Sequence, residues 1–247
     1  MISKELVIRL KAEIEQGYAA AVATITRHSV DEEKVGQRYL VTRRDEGPGD
    51  DPDYPRIHQA VTPLLLQGKS KTISIPLKSG EVECFVEIIQ PQDRLVVAGA
   101  GHVAESISRM GKWLGFHVTV VDDREVYASK ERFPDADEVV CQSFRDFFEQ
   151  LTPTPQTYIL LLTRGHKFDV LILQQLLQKG QKPAYLGMIG SKRRISGVRS
   201  QTPLWDNVHA PIGLDLGAET PEEISVSVFA EILKLKNGKS GRSLCDL

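Results

Sequence analysis

Cysteine is scarce in this chain: Cys84, Cys141 and Cys245 are the only three, an odd number, widely spaced and with no C-x-x-C pair. Neither a disulfide framework nor a thiolate zinc site is indicated by that count, and each thiol reads as buried or terminal. An excess of charge is also missing. Lys and Arg number 31 against 33 Asp and Glu, for a net charge of -2 and a pI near 6.3. A nucleic-acid or membrane-surface binder works through a basic stripe, and the sequence offers none. No apolar run approaches the roughly 18 residues of a membrane span, and the first residues lack the apolar centre of a secretion signal. The expectation is a cytoplasmic protein with no membrane and no nucleic-acid partner. No H-x-x-x-H metal pattern is present, and no Cys-His or Ser-His-Asp spacing picks out a nucleophile, so neither a metal site nor a catalytic residue is assigned.

What remains is an ordinary globular composition, 41% apolar and 26% charged over 247 residues, enough for one large or two modest domains. The most informative stretch runs from Arg94 to Arg124. Leu95 to Ala98 is short and β-branched, as in a parallel strand buried on both faces. Gly99-Ala100-Gly101-His102-Val103-Ala104 follows, with glycines for a tight turn and close ligand approach and Ala104 in the third place of G-x-G-x-x-G/A. A helical run to Gly115 leads to a second strand from His117 that ends in Asp122-Asp123. The helix start would aim unpaired N–H groups at a phosphate or pyrophosphate. Asp122 stands where a dinucleotide fold puts an acid on a ribose hydroxyl. The same residues also suit a glycine turn used for packing alone, with the two acids a solvated strand end and His102 either ligand-facing or a polar cap.

Upstream, residues 3 to 16 place Leu6, Ile8, Leu10 and Ile14 at near-helical spacing behind a Ser3 cap, closed by Gly17. Ala19 to Thr26 and Arg38 to Thr42 read as strands, and the polar connection between them, with His28 and Ser29, as a hairpin link. Asp45 to Pro55 is proline-broken and acidic, a solvated loop more readily than a metal site. Ile57 to Gln67 reads as a short helix interrupted near Pro63. Lys71 to Pro76 and Glu81 to Ile89 read as two strands about a Lys78-Ser79-Gly80 turn. Pro91 marks the linker.

Downstream of Asp122, strand and helix continue to alternate. Ala136 to Cys141, Tyr158 to Thr163 and Ala184 to Ile189 are strands. Ser143 caps a helix ending at Leu151, and another helix runs through Leu177 to Gly180. Thr220, Pro221 and Glu223 form a capping-box start, and the tail from Lys236 is polar and frayed. The fold class is α/β: a C-terminal Rossmann-like, doubly wound parallel sheet over residues 91–240, with a smaller N-terminal α+β domain over residues 1–90. In such a sheet, ligands bind beyond the carboxyl ends of the strands at the switch in strand order. The unusual loops all lie on that edge: Gly99 to His102, Asp122 to Arg124, Thr163 to His166 with Gly165, and Gly190-Ser191-Lys192 with Arg193 and Arg194. The candidate ligand-binding residues are therefore Gly99, Gly101, His102, Asp122, Gly165, His166, Gly190, Ser191 and Lys192. The last three combine backbone freedom, a hydroxyl and a cation at a helix start, although a Lys-Arg-Arg run is also commonly a solvated face.

These residues, with Leu162-Thr163-Arg164-Gly165-His166, Tyr185-Leu186-Gly187-Met188-Ile189-Gly190-Ser191-Lys192-Arg193 and Pro211-Ile212-Gly213-Leu214-Asp215-Leu216-Gly217-Ala218-Glu219-Thr220-Pro221-Glu222-Glu223-Ile224, resemble the XdhC/CoxI family, accessory factors of xanthine dehydrogenase and related molybdenum hydroxylases. The resemblance spans nearly the whole second domain. It implies a homodimer with a non-catalytic role: binding the molybdenum cofactor (molybdopterin) as cargo, assisting its sulfuration by a partner cysteine desulfurase, and delivering it to the apo-hydroxylase. The first domain departs from the family pattern. Arg27-His28-Ser29-Val30-Asp31 stands where a Gly-Ser-x-Pro-Arg-x-x-Gly-like segment is usual, with only Gly36 and Arg38 reminiscent of it, and a Gly-Gly-Cys-Val-Glu-like segment is not found. Cys84 reads as a buried thiol. The competing function is an NAD(P)-dependent oxidoreductase built on the glycine turn and Asp122.

Overall fold

The computed structural model describes residues 3–43, 51–180, 182–203 and 208–246, which fall into two units, Met1–Pro91 and Gln92–Leu247. The first begins with helix α1 (Lys4–Glu15), whose orphan N–H at Leu6 is taken by the Ser3 hydroxyl at 3.1 Å. Leu6 and Leu10 pack on Ala20, Val22 and Leu40, whereas Ile8 is 58% exposed. Positions 6 and 10 share one helical face, and position 8 points about 200° around from the first of them, which is why the expected apolar stripe is narrower than its residue count suggests.

Strands β1 (Ala20–His28), β2 (Arg38–Val41), β3 (Lys71–Leu77) and β4 (Gly80–Ile89) form an antiparallel sheet in the order β2-β1-β4-β3. Helix α2 (Tyr54–Gln67) lays Ile57, Val61 and Leu65 into the core with Ala21, Ala23, Ile25, Val82, Cys84 and Val86. Two expectations change here. The loop expected from Asp45 to Pro55 falls partly outside the described residues, at 44–50, and the part that is described already turns into helix at Tyr54, with Pro55 in the first turn, where a missing N–H costs nothing. Pro63 does not interrupt the helix. Both Pro63 and Gln59, whose carbonyl it leaves without a donor, face outward, where water can serve, while the buried stripe holds the turn together.

The second unit alternates β5 (Arg94–Ala98), α3 (His102–Trp113), β6 (His117–Asp122), β7 (Glu138–Cys141), α4 (Phe144–Gln150), β8 (Thr157–Leu161), α5 (His166–Lys179), β9 (Tyr185–Met188), α6 (Lys192–Arg199), β10 (Val208–His209) and α7 (Pro221–Lys236). All pairings are parallel, in the order β10-β9-β8-β5-β6-β7. The chain steps from β5 to β6 and β7 on one side and to β8, β9 and β10 on the other, so the order switches between β5 and β8. The two-residue side-chain period sends Leu95 and Val97 to a layer with α3 and α7, and Val96 and Ala98 to a layer with α4, α5 and α6. Both faces are dry, as a parallel sheet requires. Close packing of α3 comes from Gly111 as well as Ala104: a Cβ at 111 would lie 2.8 Å from Leu95 Cδ2.

The expected alternation fails once. Residues 123–137, between β6 and β7, hold turns and no helix. Side-chain bonds take over: Arg132 donates to the Ala100 carbonyl at 2.9 Å and pairs with Glu105, and Asp137 accepts from Lys112 at 2.7 Å and from the Val118 N–H at 2.7 Å. The short sixth strand, β10, is absent from the sequence expectation, because two paired residues carry no periodic signal. Helix α7 opens with a complete capping box between Thr220 and Glu223.

Candidate functional site

The turn after β5 is fixed by its own geometry. Gly99 has φ +113°, a region that favours glycine, and a Cβ there would run into the Leu162 carbonyl oxygen and stand 2.7 Å from its carbon and 3.1 Å from Thr163 N. The turns following β5 and β8 therefore touch, at the switch in strand order. Gly101 is different. A Cβ there would meet nothing within 4 Å, so its bareness leaves open room at the N-terminus of α3. Ala104 N–H bonds Gly101 O at 3.0 Å, while the N–H groups of Gly101, His102 and Val103 have no partner among the described residues. They form an anion-suited cradle.

Asp122 closes the other side of that turn. It is 1% exposed, and its Oδ2 accepts from the Ala100 N–H at 2.9 Å. The Arg124 guanidinium grips both carboxylate oxygens, Nε to Oδ1 at 2.9 Å and Nη2 to Oδ2 at 3.0 Å, while stacking 3.6 Å above the Tyr127 ring. Asp123 pairs in the same forked manner with Arg164, which in turn lies 4.3 Å over Phe168. The Arg164 guanidinium holds the Asp123 carboxyl below its ordinary range, against the opposing push of partial burial. Arg124 and Arg164 are thus neutralised by the strand-end acids.

The β8 and β9 loops are joined by a group that stands outside the expected site residues. Asp169, in the first turn of α5, is wholly buried and accepts from Thr163 Oγ1 at 2.7 Å and from Arg194 Nε at 2.9 Å. Arg194 also donates to the Thr163 carbonyl at 2.9 Å. Burial pushes the Asp169 carboxyl upward, and the bonds from Thr163 and Arg194 work against that push. A signal is present in the sequence: Asp169 shares the i, i+3, i+4, i+7 face of Ile172, Leu173 and Leu176, and an acid on a buried stripe needs a cation.

Of the expected residues, Gly99, Gly101, His102, Gly165 and His166 lie on the two turns that meet at the switch, and Asp122, at the end of β6, bonds the first of them through Ala100 N–H. Gly165 is the cap residue of α5, and His166 its first residue. Gly190, Ser191 and Lys192 open α6 and are tied to the β8 loop through Arg194. Ser191 Oγ accepts the Arg194 N–H at 3.3 Å, so its hydroxyl serves the helix cap. His102, His166, Lys192 and Arg193 are exposed and make no side-chain hydrogen bond or ion pair among the described residues. They, with the open N–H groups, are what the edge offers an anion.

The first unit brings chemistry-bearing side chains together without making a second site of them. Cys84 is buried, and burial pushes its thiol up to about 11, so it stays protonated and unreactive at neutral pH. Ser79, His28 and Asp53 come together, with Ser79 Oγ 3.1 Å from Asp53 Oδ2 and 3.4 Å from His28 Nε2. His28 Nδ1, however, accepts the N–H groups of Val30 and Asp31 at 3.1 and 2.9 Å, which places the ring proton on Nε2. That nitrogen then donates and is no base for the serine, so the constellation is a structural clamp on the hairpin link, reinforced by Lys34 on Asp53 at 2.8 Å.

Among known proteins, residues 95–232 match the family model described as the XdhC Rossmann domain. An Escherichia coli (strain K12) protein named Uncharacterized protein YqeB is 33% identical over 170 residues, 66% of this chain and 31% of that one. A Bacillus subtilis (strain 168) protein, by its name a probable subunit of xanthine dehydrogenase, is 29% identical over 171 residues, 69% of this chain and 51% of that one. The chain thus spans between about a third and a half of the length of these relatives. A crystal structure of a protein described as a xanthine dehydrogenase from Bacillus halodurans superposes with a TM-score of 0.59 at 19% identity, over 97% of this chain and 98% of that one, a likeness of fold. No helix among the described residues is long and apolar enough to cross a membrane. With more than half of its length inside the family model, and with the paired strand-end turns in place, the chain belongs to the XdhC family.

Proposed function

We propose that this protein is an accessory factor that carries the phosphate-bearing pterin of the molybdenum cofactor as cargo and hands it to an apo-hydroxylase of the xanthine dehydrogenase type. The carrying observation is the open cradle at the strand switch: unpaired N–H groups at Gly101, His102 and Val103, with room above Gly101 where a side chain would otherwise stand. These groups fit a phosphate. Lys192 and Arg193, exposed and without ion-pair partners among the described residues, add positive charge at the neighbouring α6 start, while Arg124 and Arg164 are already spent on acids. His102 and His166 would flank the cargo. Partnership with a hydroxylase is supported by family membership and by the relative whose name makes it part of a xanthine dehydrogenase. A homodimer, a cytoplasmic location and a desulfurase partner belong to the same proposal.

The test is anaerobic co-purification. The full chain, produced in cells that make the cofactor, is expected to retain a pterin detectable by its oxidised fluorescence, and Lys192→Glu together with Arg193→Glu to retain at least about tenfold less, since each removes a charge-assisted contact. A wild-type protein that carries no pterin, under conditions where a hydroxylase does, would overturn the proposal.

A further inference from the structure

A carboxylate has about four lone-pair positions, and at Asp122 every one is taken. Oδ2 receives the Ala100 N–H at 2.9 Å and Arg124 Nη2 at 3.0 Å; Oδ1 receives the Arg124 N–H at 3.1 Å and Arg124 Nε at 2.9 Å. Two of these donors are backbone groups that belong to the turn and the strand end. The other two form one planar fork, and they occupy one position on each carboxylate oxygen. That is the pair of positions to which the two hydroxyls of a vicinal diol would have to donate when such an acid reads a ribose. The fork is charged, and a charge-assisted bidentate pair outcompetes neutral hydroxyls. It is also stacked on the Tyr127 ring, and Arg164 Nη1 lies 3.8 Å from Asp122 Oδ1. Asp123 carries a fork of its own, with one Arg164 donor on each carboxylate oxygen.

We infer that Arg124 is the specificity-determining residue of this edge. Its guanidinium fills the diol position from within the protein, so the edge binds a phosphate or pyrophosphate group without reading a ribose through Asp122. The inference rests on the reading of the strand switch as an anion site, and it separates a phosphorylated cargo from a nicotinamide dinucleotide held by its adenosine ribose. Removal of the fork restores the acceptor: in Arg124→Ala, the acid keeps its backbone donors and regains two free positions, one on each oxygen.

Calorimetric titration of the full chain with inorganic pyrophosphate, ADP and 2′,3′-dideoxy-ADP tests this. Wild type is expected to bind the two nucleotides within about twofold of each other, and Arg124→Ala to prefer ADP by at least about tenfold, the effect of hydrogen bonds to a charged acceptor. Arg124→Lys, which keeps the charge and loses the fork, is expected to fall between, and thermal melts of both variants check folding. A wild type that already favours ADP tenfold overturns the inference, as does a folded Arg124→Ala that binds pyrophosphate like wild type and still ignores the diol. Failure of pyrophosphate to bind wild type would instead remove the anion reading itself, and the inference with it.

Discussion

Gly99 and Leu162 come so close that the α-hydrogen of one is the only substituent the carbonyl of the other can tolerate. This contact joins the two loops on which five of the nine expected site residues lie. Gly99→Ala is expected to cost about 2–5 kcal/mol, from a strained positive φ together with a backbone clash that no rotamer relieves. Urea denaturation measures the loss. The pyrophosphate affinity of whatever folded fraction remains should fall as well, because the cradle begins two residues further on.

Arg194→Met should destabilise by about 3–5 kcal/mol at neutral pH, since it strands the wholly buried Asp169 carboxylate. The deficit should shrink as pH falls. Without its cation, Asp169 has a folded pKa further above the ordinary 3.8, so between those two values the native state holds more protons than the unfolded chain, and stability rises on acidification. A deficit that stays constant from pH 8 to pH 5 would show that the acid is neutralised by another group.

The Asp123–Arg164 pair predicts the opposite slope. Its carboxyl titrates below 3.8 in the folded state, so the contribution is present above about pH 4 and lost as pH drops through the folded value. With both side chains partly solvated, no more than about 1 kcal/mol is involved. Comparison of wild type with Arg164→Gln in urea at pH 7 and pH 3 should show a small gap that closes in acid.

Thr220→Ala removes the hydroxyl that accepts the Glu223 N–H and should cost about 1 kcal/mol, within the range for a lost N-cap. Thr220→Ser should restore most of it. Equal melting temperatures for wild type and the alanine variant would mean that the cap is redundant with the packing of Val228, Phe229 and Ile232.

The parallel sheet is legible in the sequence because buried strands such as Leu95 to Ala98 and Tyr158 to Leu161 are continuous apolar runs, and because glycine turns and caps punctuate them. Two kinds of feature are not. The helix-free crossover at 123–137 and the two-residue β10 lack a period to read, one being held by arginine bonds and the other by a single pairing. The site is legible only in outline. Spacing places Asp122 correctly at the end of β6, but whether its oxygens face a ligand or a neighbour two residues away depends on a rotamer of Arg124, which no pattern encodes. Asp169 and Arg194, 25 residues apart, become a pair only when α5 and α6 pack side by side.

The two peptide groups that flank Ala100 are each held, the one before it through its N–H on Asp122 and the one after it through its carbonyl on Arg132. Neither plane can rotate without giving up its bond, so the cradle beside Ala100 is a stiff receptor instead of one moulded by its guest. Association there should be a single kinetic step, with an observed rate linear in ligand concentration, and cargo release should be governed by whatever pulls on the ligand and not by an opening motion of the turn.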